Sequence, residues 1–140
     1  MDRRAMSLAF CTIYLLEKET KDKITFYWDN HLLEVAFNKI VKAKHFPEWF
    51  CRDFCYDPLY AHSETLRRLF SEALQYGLLE HVFYAGGIRI QLAFGERVYR
   101  EMLKELDVAE PIVKEWASTL ETLLALYKEQ LLAREGTNSR

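Results

Sequence analysis

The sequence has few of the residues that cross-link or interrupt a fold, with three cysteines, three prolines and five glycines in 140 residues. A small, odd number of cysteines does not fit a secreted disulfide framework, whose cysteines are usually denser and even in number. No apolar run approaches the roughly 18 residues that a membrane-spanning helix needs. The net charge is only −2, so the basic composition common among nucleic-acid-binding domains is missing as well.

Apolar residues, by contrast, are abundant: half of the chain is hydrophobic and 14% is aromatic. This composition predicts a real core in one domain with an accessory element. The N-terminus has the outline of a signal peptide, with a positive start and then an apolar stretch. The acidic Asp2, the return of charge at Glu17 and the lack of a small-residue cleavage site argue against one. We therefore expect a cytoplasmic protein.

Helical periodicity dominates the chain, and capping residues mark its helices. Pro47 suits the first turn of a helix, Ser63 is a good N-cap, and Gly77 suits a helix C-terminus. We predict helices over residues 6–17, 30–44, 47–57, 63–76, 95–106 and 111–134. A strand remains the alternative for 6–17, and the segment "ITFYW" (24–28) is predicted to be extended.

The period changes after Gly77, in "LEHVFYAGGIRIQLAF". In the second half of this segment Ile88, Ile90 and Leu92 alternate with Arg89 and Gln91, as in a strand with one buried face. Two glycines between extended runs favour a tight hairpin, because type I′ and II′ turns need positive φ. The segment is predicted to be a β-hairpin.

The last helix carries apolar residues at steps of four and three, which is a heptad pattern. Its seam consists of Val113, Ala117, Leu120, Leu124, Tyr127 and Leu131, and Trp116 widens it. We predict that this seam pairs with its copy in a homodimer. The alternative is that it packs back on the same chain.

Three consecutive segments, "SETLRRLFSEALQYGLLE", "HVFYAGGIRIQLAF" and "GERVYREML", resemble the winged helix-turn-helix domain in the layout of PadR- and MarR-like regulators. The resemblance implies a mainly α fold with a small β-hairpin (α+β). It implies an N-terminal helical extension (1–29), a winged-helix domain (30–106), a dimerisation helix (107–135) and a disordered tail (136–140). In this family the capped helix enters the major groove of duplex DNA, and the hairpin, called the wing, contacts the flanking backbone or the minor groove.

The resemblance therefore predicts a transcriptional regulator that binds double-stranded DNA sequence-specifically, as a homodimer whose recognition helices lie about 34 Å apart. The candidate DNA contacts are Ser63, Thr65, Arg67 and Arg68 on the capped helix, His62 just before it as a weaker candidate, and Tyr84, Arg89 and Gln91 on the wing. Arginine side chains can bind phosphates or read guanine. The alternative for Arg67 and Arg68 is that they pair with Glu64 or Glu72 on the helix surface.

Charge is the main objection to DNA binding. Residues 30–95 contain seven basic and seven acidic residues, so few phosphates can be neutralised by each chain. A winged-helix adaptor that binds mainly protein, for example in DNA partition or complex assembly, is therefore the alternative function.

Neither an enzyme nor a metal protein is expected. The four histidines are scattered and suggest no pair of base and nucleophile. Cys51 and Cys55, with His45 or His62, match no standard zinc spacing. We expect no metal, no cofactor and no membrane partner.

Overall fold

The computed structural model describes residues 2–20, 26–82, 87–90 and 95–138. Its elements in chain order are α1 (Ala5–Thr20), β1 (Phe26–Tyr27), a 3-10 turn (Trp28–Asn30), α2 (Leu32–Lys42), α3 (Glu48–Asp53), α4 (Glu64–Gln75), β2 (Leu79–Val82), β3 (Gly87–Ile90), α5 (Gly95–Leu106) and α6 (Glu110–Asn138). The fold is mainly helical with one small sheet, which confirms the predicted class at this level. Within the described ranges no helix is both long and apolar enough to cross a bilayer.

Helix α1 lies at the centre of the core. Leu8, Ile13 and Leu16 are almost completely buried, and α4, α5 and α6 all contact the helix. Tyr14 stacks on Tyr99 of α5 with ring centroids 4.6 Å apart. A helix that is apolar on most sides suits such a position. The segment 1–29, predicted as an extension, therefore shares one core with the segments predicted as the domain and the last helix.

The three strands form an antiparallel sheet in which β3 lies between β1 and β2. Phe26 of β1 pairs with Ile88 of β3, and Leu79 of β2 pairs with Ile90. The two strands of the predicted hairpin are thus confirmed in their backbone pairing. Of the predicted extended segment (24–28), Phe26 and Tyr27 form β1, Trp28 begins the 3-10 turn, and 24–25 lie outside the described residues. The predicted turn (83–86) and the continuation of the second strand (91–94) lie outside the described residues.

The predicted caps of α4 are confirmed. The Ser63 Oγ accepts a hydrogen bond from the Leu66 backbone N–H at 3.1 Å, which satisfies one of the unpaired N–H groups of the first turn. Gly77 follows the helix with a φ of +75°, a conformation that glycine adopts without strain. Ser63 and Gly77 thereby fix where α4 starts and how the chain turns into β2.

The first half of α6 packs on its own chain. Val113, Trp116, Ala117 and Leu120 are buried, and the Trp116 Nε1–H donates a hydrogen bond to the His45 carbonyl at 2.8 Å. Four of the seven residues predicted for a dimer interface are therefore already covered, as the alternative interpretation expected. The other three, Leu124, Tyr127 and Leu131, are only partly buried.

Helix α6 continues to Asn138 and so includes 136–138, where we predicted a disordered tail. Once a helix is nucleated, each added residue gains a backbone hydrogen bond, which favours continuing α6 through these residues.

Candidate nucleic-acid interface

Helix α4 has one face buried in the core, one face exposed to solvent, and between them Arg67, which pairs with a residue of α2. Leu66, Leu69, Phe70 and Ala73 are buried against the core. The exposed residues of the helix are Glu64, Arg68, Ser71, Glu72 and Gln75. This amphipathic pattern places Arg67 and Arg68 in different surroundings although they are adjacent in the sequence.

Arg67 is held by the buried side chain of Glu34 in α2. The Arg67 Nη2 lies 2.8 Å from Glu34 Oε1, and its Nε lies 3.3 Å from Glu34 Oε2. The guanidinium also donates to the Trp28 carbonyl at 3.3 Å and lies 4.7 Å from the Trp28 ring centroid. The Glu34 side chain is 0% exposed. Because a buried carboxylate needs such a partner, Arg67 serves the fold in this structure.

Glu34 also holds the start of α4. It accepts hydrogen bonds from the Ser63 backbone N–H and from His31 Nδ1, the latter at 2.9 Å. The His62 Nδ1 lies 3.6 Å from the same carboxylate. The Glu34 carboxylate of α2 thus binds His31, which precedes α2, and Ser63 and Arg67 at the start of α4. We call Glu34, Arg67, His31 and the Ser63 N–H the Glu34 cluster.

The other predicted contacts at the start of α4 have structural roles. Ser63 is fully buried, and its hydroxyl donates to the Cys55 carbonyl at 2.8 Å. The Thr65 Oγ1 accepts from the Cys55 N–H at 3.0 Å. The His62 Nε2 lies 3.2 Å from Glu64 Oε2, and its backbone pairs with Asp57. These bonds fix the loop before α4.

Arg68 is the exposed arginine of the pair, and it makes no hydrogen bond or ion pair with any part of the chain that the structure describes. It lines an open cleft of about 750 Å³ between α4, α3 and the residues before α1. Arg3 and Arg52 line the same cleft, which we call the α4 cleft. The fold thereby gathers three arginines that are far apart in the sequence.

Acidic residues balance these arginines. Asp2, Asp53, Glu64 and Glu72 also line the α4 cleft. Asp2 is bound by Arg4, whose Nη2 lies 2.9 Å from Asp2 Oδ2, and this hydrogen bonding lowers the pKa of Asp2 to about 2. The Arg52 Nε lies 3.4 Å from Asp53 Oδ1. Asp2 is thus paired with an arginine that does not line the cleft, whereas Asp53 competes directly with a ligand for Arg52.

The wing positions are described only in part. Arg89 lies on β3, where it pairs in register with Glu80 of β2. The predicted contacts Tyr84 and Gln91 lie outside the described residues. Of the predicted contacts, Thr65 and Arg68 therefore line the α4 cleft. Ser63 and Arg67 instead form hydrogen bonds within the chain.

Sequence reasoning missed Arg3 and Arg52. Neither residue has a local signal of a shared site, since Arg3 precedes the first helix and Arg52 lies on the short helix α3. Recognising residues 6–17 as a central helix beside α4 would have placed the N-terminus at this surface.

No cluster of three or more histidine, cysteine or acidic side chains suited to a metal ion occurs among the described residues. Comparisons of the chain with models of known families, with curated proteins and with solved structures found no match.

Proposed function

We propose that this protein binds double-stranded DNA as a winged helix-turn-helix protein, with the exposed face of α4 in the major groove and the β2–β3 hairpin as the wing. The observation that carries the proposal is the sheet order β1–β3–β2 with α4 directly before the hairpin. A helix in this position, capped and exposed on one face, has the layout that the sequence resemblance implies. Transcriptional regulation in the cytoplasm is the role that we propose for it.

Arg68 is the proposed central contact, since it is exposed on α4 and has no partner within the described ranges. Its guanidinium can bind guanine in bidentate fashion or a phosphate. Arg3 and Arg52 flank it on the α4 cleft and are proposed to contact the DNA backbone. Arg67 is assigned a supporting role, because its guanidinium is bound to Glu34.

The proposal is tested by fluorescence anisotropy with duplex DNA of mixed sequence at low salt. We expect Arg68→Ala to weaken binding at least about tenfold, and Arg3→Ala and Arg52→Ala to weaken it less. Arg97→Ala is the matched control, since Arg97 is 87% exposed on α5 and does not line the cleft. Equal affinities of Arg68→Ala and Arg97→Ala for DNA would overturn the assignment of α4 as the helix that contacts the major groove.

A protein-binding adaptor of the same layout is the second candidate, favoured by two observations. The α4 cleft is lined by four acidic residues and three arginines, and the charges balance when Arg4, which binds Asp2, is included. Leu59, Tyr60 and Tyr76 are 79%, 68% and 72% exposed, and tyrosine is among the residues enriched in protein interfaces. Failure of the wild-type protein to bind duplex DNA at low salt would favour this function.

A further inference from the structure

The His62 ring lies between two carboxylates at the start of α4. Its Nε2 is 3.2 Å from Glu64 Oε2, and its Nδ1 is 3.6 Å from Glu34 Oε2. Two backbone hydrogen bonds between His62 and Asp57, at 2.8 and 3.2 Å, close the loop before α4. The Asp57 carboxylate itself accepts from the Leu59 N–H. His62 is therefore held beside one buried acid, Glu34, and one exposed acid, Glu64.

The protonation state of the ring decides how it can meet both acids. A carboxylate only accepts hydrogen bonds, and a neutral imidazole has a single N–H. The neutral His62 ring therefore offers a donor to Glu34 or to Glu64, and its other nitrogen faces a carboxylate with a lone pair. The protonated ring has an N–H on each nitrogen and so offers a donor to both acids. Histidine is the side chain whose ordinary change of charge falls between about pH 5 and 8.

Glu34 does not depend on His62 for a partner. Arg67 binds it through two nitrogens, at 2.8 and 3.3 Å. The His31 Nδ1 lies 2.9 Å from it, and a neutral ring with its proton on Nδ1 is enough for that bond. Tyr56 also lies within range of the Glu34 charge, and burial together with that charge raises the pKa of the Tyr56 phenol, so this group stays neutral. A proton on His62 therefore matters less for the buried acid than for the exposed one.

Glu64 lies where DNA is proposed to bind. It is the first residue of α4, is 69% exposed and lines the α4 cleft together with Arg68. Of the four acids that line this cleft, it is the one that a histidine contacts within the described ranges. While the His62 ring is neutral, the Glu64 charge repels phosphates close to Arg68. A proton on the ring compensates this charge and moves the balance of charge at the cleft by one unit toward positive values.

We propose that protonation of His62 strengthens the binding of DNA by compensating the charge of Glu64, so that the affinity rises as the pH falls through the range in which histidine titrates. This inference rests on the proposed function, since it concerns the same face of α4. Because acids and arginines nearly balance at the α4 cleft, a change of one charge has a large relative effect on phosphate binding. His62 acts through Glu64 and is not assigned a contact with DNA.

Fluorescence anisotropy with duplex DNA at constant ionic strength, at pH values of about 6 and 8, tests the proposal. We expect the wild type to bind DNA several-fold more tightly at the lower pH. His62→Gln keeps an amide donor for Glu64 but cannot take up a proton, and it is expected to lose most of this difference. His45→Gln is the matched control, since His45 is exposed and does not line the cleft, and it is expected to keep the wild-type difference.

A second variant tests whether His62 acts through Glu64. Glu64→Gln removes the charge that repels phosphates, so at the higher pH it is expected to bind DNA more tightly than the wild type. Glu115→Gln is its control, since Glu115 is exposed on α6 and does not line the cleft, and it is expected to bind as the wild type does. Circular dichroism checks that every variant keeps its helical content.

The outcomes separate this inference from the proposed function. Equal wild-type affinities at both pH values, full pH dependence in His62→Gln, or a Glu64→Gln variant that binds no more tightly than the wild type would each overturn the inference alone. The same holds if NMR of the imidazole nitrogens in the free protein shows that His62 takes up no proton between the two pH values. A wild type that binds no DNA at either pH would overturn the proposed function and this inference with it.

Discussion

At the scale of single residues, the adjacent arginines of α4 have opposite roles. Arg67 is bound to a buried carboxylate 33 positions away, while Arg68 faces solvent at the α4 cleft. The sequence identifies both as exposed candidates, because helical spacing excludes them from the apolar face. It cannot tell them apart, since nothing local to the helix indicates that α2 places Glu34 beside one of them.

Removing Arg67 is expected to destabilise the protein by about 3 kcal/mol, because it leaves the Glu34 carboxylate buried without its guanidinium partner. Arg68→Ala is expected to change the free energy of unfolding by less than about 0.5 kcal/mol, as exposed substitutions usually do. Urea denaturation measures both. The double variant Arg67→Ala/Glu34→Gln, which removes the unpaired charge, should recover part of the loss. Equal stabilities of Arg67→Ala and Arg68→Ala would contradict the role given to the Glu34 cluster.

The three cysteines should differ in reactivity. Cys11 is fully buried in α1, and burial raises its pKa to about 12, so its reactive thiolate is scarce at neutral pH. Cys55 is exposed. Alkylation of the native protein followed by mass spectrometry should modify Cys55 first and Cys11 only after unfolding. Early labelling of Cys11 would contradict the central position of α1.

At the scale of elements, the sequence predicts most of the helices and strands but not which elements pack together. The helix predicted over 47–57 is too long, since α3 ends at Asp53 and Phe54 is extended. Ser63, Gly77 and Pro47 act through neighbouring backbone groups, so their signals are local and the ends of α4 and the start of α3 follow from them. The heptad of α6 is real, but periodicity shows only that a face is apolar. Whether the same chain or a second copy covers Trp116 depends on where the loop at His45 lies, which no local pattern contains.

The start of α6 is expected to depend on pH. The Tyr99 hydroxyl donates to Glu110 Oε2 at 2.9 Å, and this bond, helped by Arg100 and Lys114, lowers the pKa of Glu110. A carboxyl whose pKa is lowered by folding stabilises the native state above its ordinary pKa of 4.5, and this contribution is lost as the pH falls through the native value. Glu110→Gln should therefore destabilise the protein at neutral pH. The difference in the free energy of unfolding between this variant and the wild type should shrink as the pH falls through the native pKa of Glu110.

Urea denaturation of wild type and Glu110→Gln over a pH series measures this difference. Glu115→Gln is the control, since Glu115 is exposed on the same helix. A constant difference across the series would show that the Glu110 bonds do not couple folding to its proton.

At the scale of the whole molecule, one core includes side chains from α1 to Leu120 of α6. The sequence predicts separate segments, because the resemblance to the winged helix-turn-helix layout covers only 30–106 and leaves the segments on either side as additions to it. The apolar character of α1 was visible, but its position between α4, α5 and α6 follows from long-range packing. The pairing of Phe26 with Ile88 is also a long-range contact that no local sequence pattern predicts.

Truncation tests whether the first half of α6 is part of the same core. A chain that ends at Asp107 loses Val113, Trp116 and Leu120, and burial of each large apolar side chain contributes about 2 kcal/mol. That loss is a large fraction of the 5–15 kcal/mol typical of a domain, so we expect no cooperative thermal unfolding by circular dichroism. A chain that ends at Lys128 keeps these contacts and should unfold cooperatively. Cooperative unfolding of the shorter chain would contradict a shared core.

The central functional claim is that Arg68 on α4 contacts duplex DNA. Its most direct test is the slope of the logarithm of the binding constant against the logarithm of salt concentration, for the wild type, Arg68→Ala and Arg97→Ala. Each lost phosphate contact reduces the slope by about 0.9, so we predict a shallower slope for Arg68→Ala and the wild-type slope for Arg97→Ala. Identical slopes and affinities for all three proteins would contradict the claim.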